Sequence, residues 1–181
     1  IELEEFQTLW PTTLRSDSRA KKRWNIEVDG KTAGGVYATS TGGQVTGFRA
    51  GYIRPGFTGA IIIDDPLKAD DVWSRAKREA ANRKLTGTIR SRRASSEHTP
   101  IILIMQRLHE DDPAGHALNG DFAASFTHLE IQGVQNEGTP DECSYWEEKE
   151  SLASMLELRE RDPYTFSAQV QQRPTPPGGA M

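Results

Sequence analysis

The residue types able to do chemistry gather at three places. Ala60-Ile61-Ile62-Ile63 runs straight into Asp64-Asp65-Pro66. Pro100 to Met105 runs into Gln106-Arg107, with His109-Glu110-Asp111-Asp112 close behind. Arg49 and Arg54 stand in a glycine-rich stretch that precedes the first acid pair. Adjacent carboxylates at the end of an apolar run can hold a divalent cation with one acid and orient or polarise a water with the other. Neighbouring side chains in a regular strand point in opposite directions, so Asp64 and Asp65 serve one site only if the chain bends there, and Pro66 suits that bend. An acid pair that merely caps a following helix accounts for the same two residues. His109, His116 and the acids between them suggest metal ligands, but Asp111 and Asp112 are equally explained by a helix N-terminus, where the macrodipole favours negative charge.

These groups need elements that aim them. Ala60–Ile63 and Ile101–Met105 are short, wholly apolar runs, the pattern of strands buried on both faces of a parallel sheet, whose carboxyl edge is where ligands bind. Helical composition follows each run, at Asp70–Leu85 and at Glu110–Leu118, so the expected fold is a layered α/β sheet. Ser125–Ile131 alternates like a further strand. Ser151–Arg161 and Tyr164–Gln172 read as two short helices, and Pro174–Gly179 as a linker. Nearer the start, a short helix or lead-in ends near Pro11. Trp24–Val28 and Val36–Ser40 read as strands joined through the turn pair Asp29-Gly30.

Gly30-Lys31-Thr32 matches the tail of a phosphate-binding loop, but that motif needs its first glycine where this chain has Asn25, and it must leave a buried strand for a helix. A hairpin turn accounts for the same residues, so the chain is expected to lack a phosphate loop. The glycine-rich stretch around Arg49 contains no G-x-G-x-x-G after a strand and makes a poor dinucleotide site.

The 181 residues carry 22 Lys+Arg against 26 Asp+Glu, a formal charge of −4, and the aromatic content argues against disorder. One cysteine, Cys143, excludes a disulfide framework and a multi-cysteine metal site. No apolar run approaches the ~20 residues that span a bilayer, and no secretory signal opens the chain. The chain begins with Ile and ends after a Pro/Gly-rich run, so it reads as part of a longer polypeptide. Charge is uneven. Residues 74–93 hold eight basic residues and one acid, whereas 137–162 hold nine acids and three basic residues. The basic segment suits a nucleic-acid backbone, or a solvated face or subunit contact; it lacks interleaved aromatics for base stacking.

In order and spacing, several pieces together resemble one family. They are Gly34-Gly35-Val36-Tyr37, Gly43-Gln44-Val45-Thr46-Gly47-Phe48-Arg49, Ile61–Pro66, Pro100–Asp112 and Phe166–Pro174. The chain is similar, from about Trp24 to Pro174, to the large terminase subunits of tailed bacteriophages and prophages, the ATP-driven DNA-packaging motors. The resemblance implies a P-loop NTPase-type (ASCE) α/β fold, a mostly parallel sheet flanked by helices. It implies a partial ATPase core over 1–135, a helical lid or linker subdomain over 136–174, and a linker over 175–181 towards a nuclease domain. Asp64 would be the Walker B ligand for Mg2+ serving ATP. Asp65 stands where many relatives have a catalytic Glu, and its shorter side chain requires the water to lie closer or makes it a weaker base. Gln106, with Arg107, would occupy the coupling motif, where the family more often has small polar residues. Arg49 would be the trans-acting arginine, with Arg54 as its rival.

The Walker A loop would lie upstream of Ile1, so this segment alone is expected to lack ATP turnover. Partners implied are double-stranded phage DNA, sister subunits in a homo-oligomeric ring, the small terminase subunit and the portal protein of the procapsid, in the host bacterial cytoplasm. Two other readings of the residues stand beside this one: a non-enzymatic DNA-binding or scaffold fragment, and a metal-dependent nuclease built on Asp64, Asp65, Asp111 and Asp112.

Overall fold

The computed structural model describes residues 3–40, 42, 43, 45–122 and 124–175. Gln44 and all of the expected 175–181 linker except Thr175 lie outside them. The chain divides into two compact units, Ile1–Val45 and Thr46–Met181.

The first unit is a short helix followed by an antiparallel sheet. Helix α1 (Glu4–Leu9) precedes β1 (Thr13–Ala20), β2 (Arg23–Val28) and β3 (Lys31–Tyr37), which pair in sequence order. Asp29 and Gly30 both take positive φ (51° and 72°), the backbone of a two-residue hairpin turn whose twist matches that of the flanking strands. Gly30-Lys31-Thr32 is therefore turn and strand, as the hairpin reading expects. Strand β1 was not anticipated, because Thr13–Ala20 is mostly polar and lacks an apolar face to signal it.

In the second unit, β4 (Ile61–Asp64) and β5 (Ile101–Ile104) run parallel, with Ile61, Ile62, Ile63 and Asp64 opposite Ile101, Ile102, Leu103 and Ile104. One face of the pair is packed. Ile63 joins Leu85, Ile89, Ala117 and Phe122, with Ile61, Ile101 and Leu103 beside them. The other face is bare: Ile62, Ile102 and Ile104 are 66%, 43% and 53% exposed. The fold is thus mixed α/β with a parallel pair, and among the described residues no large parallel sheet forms.

The connection from β4 turns through a 3-10 segment, Ala69–Asp71, into α2 (Arg75–Arg83). That helix starts later than its composition suggests and is prolonged by a π-helical turn, Lys84–Ile89, and a 3-10 turn, Arg90–Arg92. The wider turn places Leu85 and Ile89 in the core. Helix α3 (Pro113–Leu118) follows β5. Ser125–Ile131 is not a strand. Among the described residues no strand offers it a hydrogen-bonding ladder, and alternation alone does not make a sheet.

A small C-terminal cluster completes the unit. Strands β6 (Val134–Gln135) and β7 (Cys143–Ser144) form a short ladder, followed by α4 (Leu152–Arg161), α5 (Pro163–Thr165) and a π-helical turn, Phe166–Val170. Val134, Met155 and Phe166 are its core. Ser151 and Asp162 cap α4 and α5, their side chains accepting from Ser154 N–H and Thr165 N–H. Hydrogen bonds from Thr165 hold the Asp162 carboxyl below its ordinary range.

Candidate active site at the carboxyl edge of the parallel pair

Asp64 ends β4 on the same face as Ile62, the bare face, as period-two geometry requires. Asp65 breaks that period. Its φ is +39°, a left-handed conformation that Asp tolerates better than most L-residues because its short polar side chain bonds locally. Its N–H still donates to Ile104 O at 3.0 Å, so the bend begins with the last bond of the ladder. The turn expected at Pro66 is made at Asp65 itself, and buried Pro66 and Leu67 follow it inward. Both carboxylates are exposed, and among the described residues neither has a hydrogen-bond or ion-pair partner.

Gln106 lies two residues beyond Ile104, the partner of Asp64, so it occupies the same edge. The chain after it is tied down. Asp112, fully buried, accepts from Arg107 Nε at 3.1 Å and from the N–H groups of Leu108, His109 and Gly115 at 2.9, 3.2 and 2.8 Å. Arg107 N–H donates to Gln172 Oε1 at 3.1 Å, and Tyr164 Oη donates to Leu108 O at 2.9 Å. Burial, then the nearby Asp112 charge, pushes the Tyr164 phenol up, so it remains a donor at neutral pH. The loop after β5 is therefore clamped to the C-terminal segment. The same segment reaches β6, where Gln171 makes two hydrogen bonds to the Val134 backbone.

The donor set at Asp64 and Asp65 fits Mg2+, a hard cation that takes one or two carboxylates and keeps several waters. A second candidate exists, since His109, Glu110 and Asp111 bring ligand atoms within 4.8 Å of one another. Two of its members are already engaged: His109 Nδ1 accepts from Asp111 N–H at 3.0 Å, and Arg78 lies 3.6 Å from the Asp111 carboxylate. His116 is elsewhere, with Nε2 2.8 Å from Thr86 Oγ1. Asp112 caps α3, as a helix N-terminus predicts. Its carboxylate is spent on Arg107 and three backbone donors, so it offers nothing to a metal, and a four-acid nuclease site loses a member.

Arg49 is not brought to this edge. Ala50 pairs with Arg93, and Gly51 packs against Thr58 and Thr99, the residues leading into β4 and β5. Arg49 thus sits at the amino end of the pair, with the length of β4, roughly 10 Å, between it and Asp64. Arg54, in the same loop, lies with its guanidinium 5.8 Å from the centre of the Tyr52 ring.

Sequence reasoning missed the Arg107–Asp112 pair and the braces from Tyr164 and Gln172. A buried ion pair five residues apart has no periodic signature, and the braces come from 56 and 65 positions away. A cleft of about 400 Å³ beside this clamp, lined by Trp73, Leu108 and Tyr164 among others, was likewise invisible in the sequence. Among the described residues, no helix is long and apolar enough to cross a membrane. No family model, no curated protein and no solved structure matches this chain.

Proposed function

We propose that this chain is part of the ATPase motor of a phage terminase large subunit, coupling ATP hydrolysis to packaging of double-stranded DNA. One observation carries the reading. Two exposed, unpartnered carboxylates stand at the carboxyl end of one parallel strand, and Gln106 stands at the same end of its neighbour. In this reading Asp64 offers its oxygens to Mg2+, and Asp65, turned out of the strand by its left-handed backbone, orients and polarises a water. The ion when bound would offset the charge that develops on a transferring phosphoryl group. Gln106 follows the state of that phosphate through its side-chain amide, and the clamp on Arg107 and Leu108 links its loop to the C-terminal cluster.

The bare face formed by Ile62, Ile102 and Ile104 supports a further covering layer in the working protein, since parallel strands of this composition are normally covered on both sides. Mg2+ and water ligands need a phosphate cradle, which the hairpin at Gly30 does not provide.

The test is ATP turnover by a polypeptide joining this chain to an upstream phosphate loop. Asp65→Asn is expected to lower kcat by at least about 10²-fold while nucleotide affinity stays within severalfold of wild type. Unchanged kcat removes Asp65 from the mechanism.

A further inference from the structure

The acid-pair site leaves one charged feature unused, a group of arginines at the amino end of the parallel pair. The segment around Arg49 is stitched in place there. Ala50 N–H donates to Arg92 O at 2.9 Å, and Ala94 N–H donates to Ala50 O at 2.8 Å. Gly51 follows with φ +74°, and a Cβ there would stand 2.6 Å from Thr99 Oγ1 and 2.9 Å from Thr58 Oγ1, so only glycine allows this approach. The backbone of Arg49 is thereby held beside Arg92 and Arg93, with Arg90 in the same turn.

These arginines differ from the four cations of α2. On α2, Arg75 and Arg83 both pair with Glu79, Lys77 pairs with Asp71, and Arg78 pairs with Asp111. Among the described residues, no carboxylate lies within ion-pair distance of Arg49, Arg90, Arg92 or Arg93. Arg92 donates to Ser91 Oγ and Arg93 to Ser96 O, both neutral acceptors. The Nε atoms of Arg90 and Arg93 are buried with no acceptor. Cations carried on adjoining backbone segments without counter-charge repel one another, and an oxyanion relieves that repulsion. Guanidinium groups match phosphate in particular, through paired N–H donors.

We propose that Arg49, Arg90, Arg92 and Arg93 form a contact for the phosphate backbone of duplex DNA. The choice of DNA as partner rests on the packaging-motor reading, while the cluster itself is independent of Asp64 and Asp65. Several guanidiniums drawn from two chain segments suit a row of phosphates. The nearest exposed ring in the loop, Tyr52, already carries Arg54 on its face, so the contact reads charge and not bases.

The experiment is fluorescence anisotropy of a labelled duplex against the whole chain over a range of salt concentrations, with no nucleotide present. The double variant Arg49→Glu/Arg92→Gln is expected to weaken binding by about tenfold or more and to make the slope of log K against log salt shallower by about 2. Arg75→Gln/Arg83→Gln, which removes cations already paired with Glu79, is expected to change affinity by less than about twofold. If the double variant loses its cooperative thermal transition, Arg49→Glu alone gives the same test with a slope change of about 1, because the exposed Arg49 side chain bonds to nothing among the described residues. Equal losses in both double variants, or no loss in either, overturn the proposal. So does tight binding of tripolyphosphate by a chain that does not bind duplex, which would assign the cluster to a nucleotide's phosphates. A chain that binds no duplex at all overturns it too, and leaves the acid-pair reading to its own turnover test.

Discussion

Asp112 is the residue on which the loop after β5 depends. Its carboxylate meets the Arg107 guanidinium and three backbone N–H groups with no exposure to solvent. Removing one partner of such a pair leaves a buried charge unmatched, which costs far more than an exposed pair contributes. Asp112→Ala is therefore expected to destabilise the chain by about 3–5 kcal/mol in chemical denaturation. Asp112→Asn keeps a capping oxygen and is expected to lose less. A loss below about 1 kcal/mol for Asp112→Ala would show that the pair is not what secures the loop. Asp65 presents the opposite case, an exposed acid in a left-handed backbone with no partner among the described residues. Only the acid pair itself was legible in the sequence, as an abrupt change from isoleucine to carboxylate; the backbone conformation that turns it was not.

At the scale of elements, β4 and β5 were readable because two runs of wholly apolar, branched residues have few alternatives to buried strands. The hairpin at Asp29-Gly30 was readable for a similarly local reason, since few dipeptides tolerate two positive φ values. Ser125–Ile131 shows the limit of local pattern, because its alternation finds no partner strand. The π-helical turns at Lys84–Ile89 and Phe166–Val170 are set by the packing of Leu85, Ile89 and Phe166, which no window of sequence reveals.

Two predictions belong at this scale. A Cβ at residue 115 would stand 1.8 Å from Glu110 O, a backbone atom that cannot swing away. Gly115→Ala is thus expected to cost about 1–3 kcal/mol in the same denaturation measurement; an unchanged midpoint would show that the turn before α3 relaxes freely. For α5, the lowered pKa of Asp162 means that its contribution is complete above the ordinary carboxylate range and is lost as pH falls through the folded value. The Tm difference between wild type and Asp162→Ala is expected to be constant above about pH 5 and to shrink below about pH 4. A difference that persists unchanged into stronger acid would locate the stabilisation outside the charged cap.

For the whole molecule, the net charge of −4 averages over parts with different neighbours. The four cations of α2 are matched within the fold, Arg159 meets Glu137 and Glu142, and among the described residues the arginines beside Ala50 meet no carboxylate. The two strand ends divide the chemistry, with carboxylates and Gln106 at one and unpaired arginines at the other. That division follows from chain direction in a parallel pair. Mn2+, standing in for Mg2+, is titrated into the isotope-labelled chain while the broadening of backbone amide signals is followed by NMR. Broadening is expected to centre on Asp64, Asp65 and Gln106 and to disappear in Asp64→Asn. Broadening centred instead on His109–Asp111, or none near Asp64, would contradict metal binding by the acid pair.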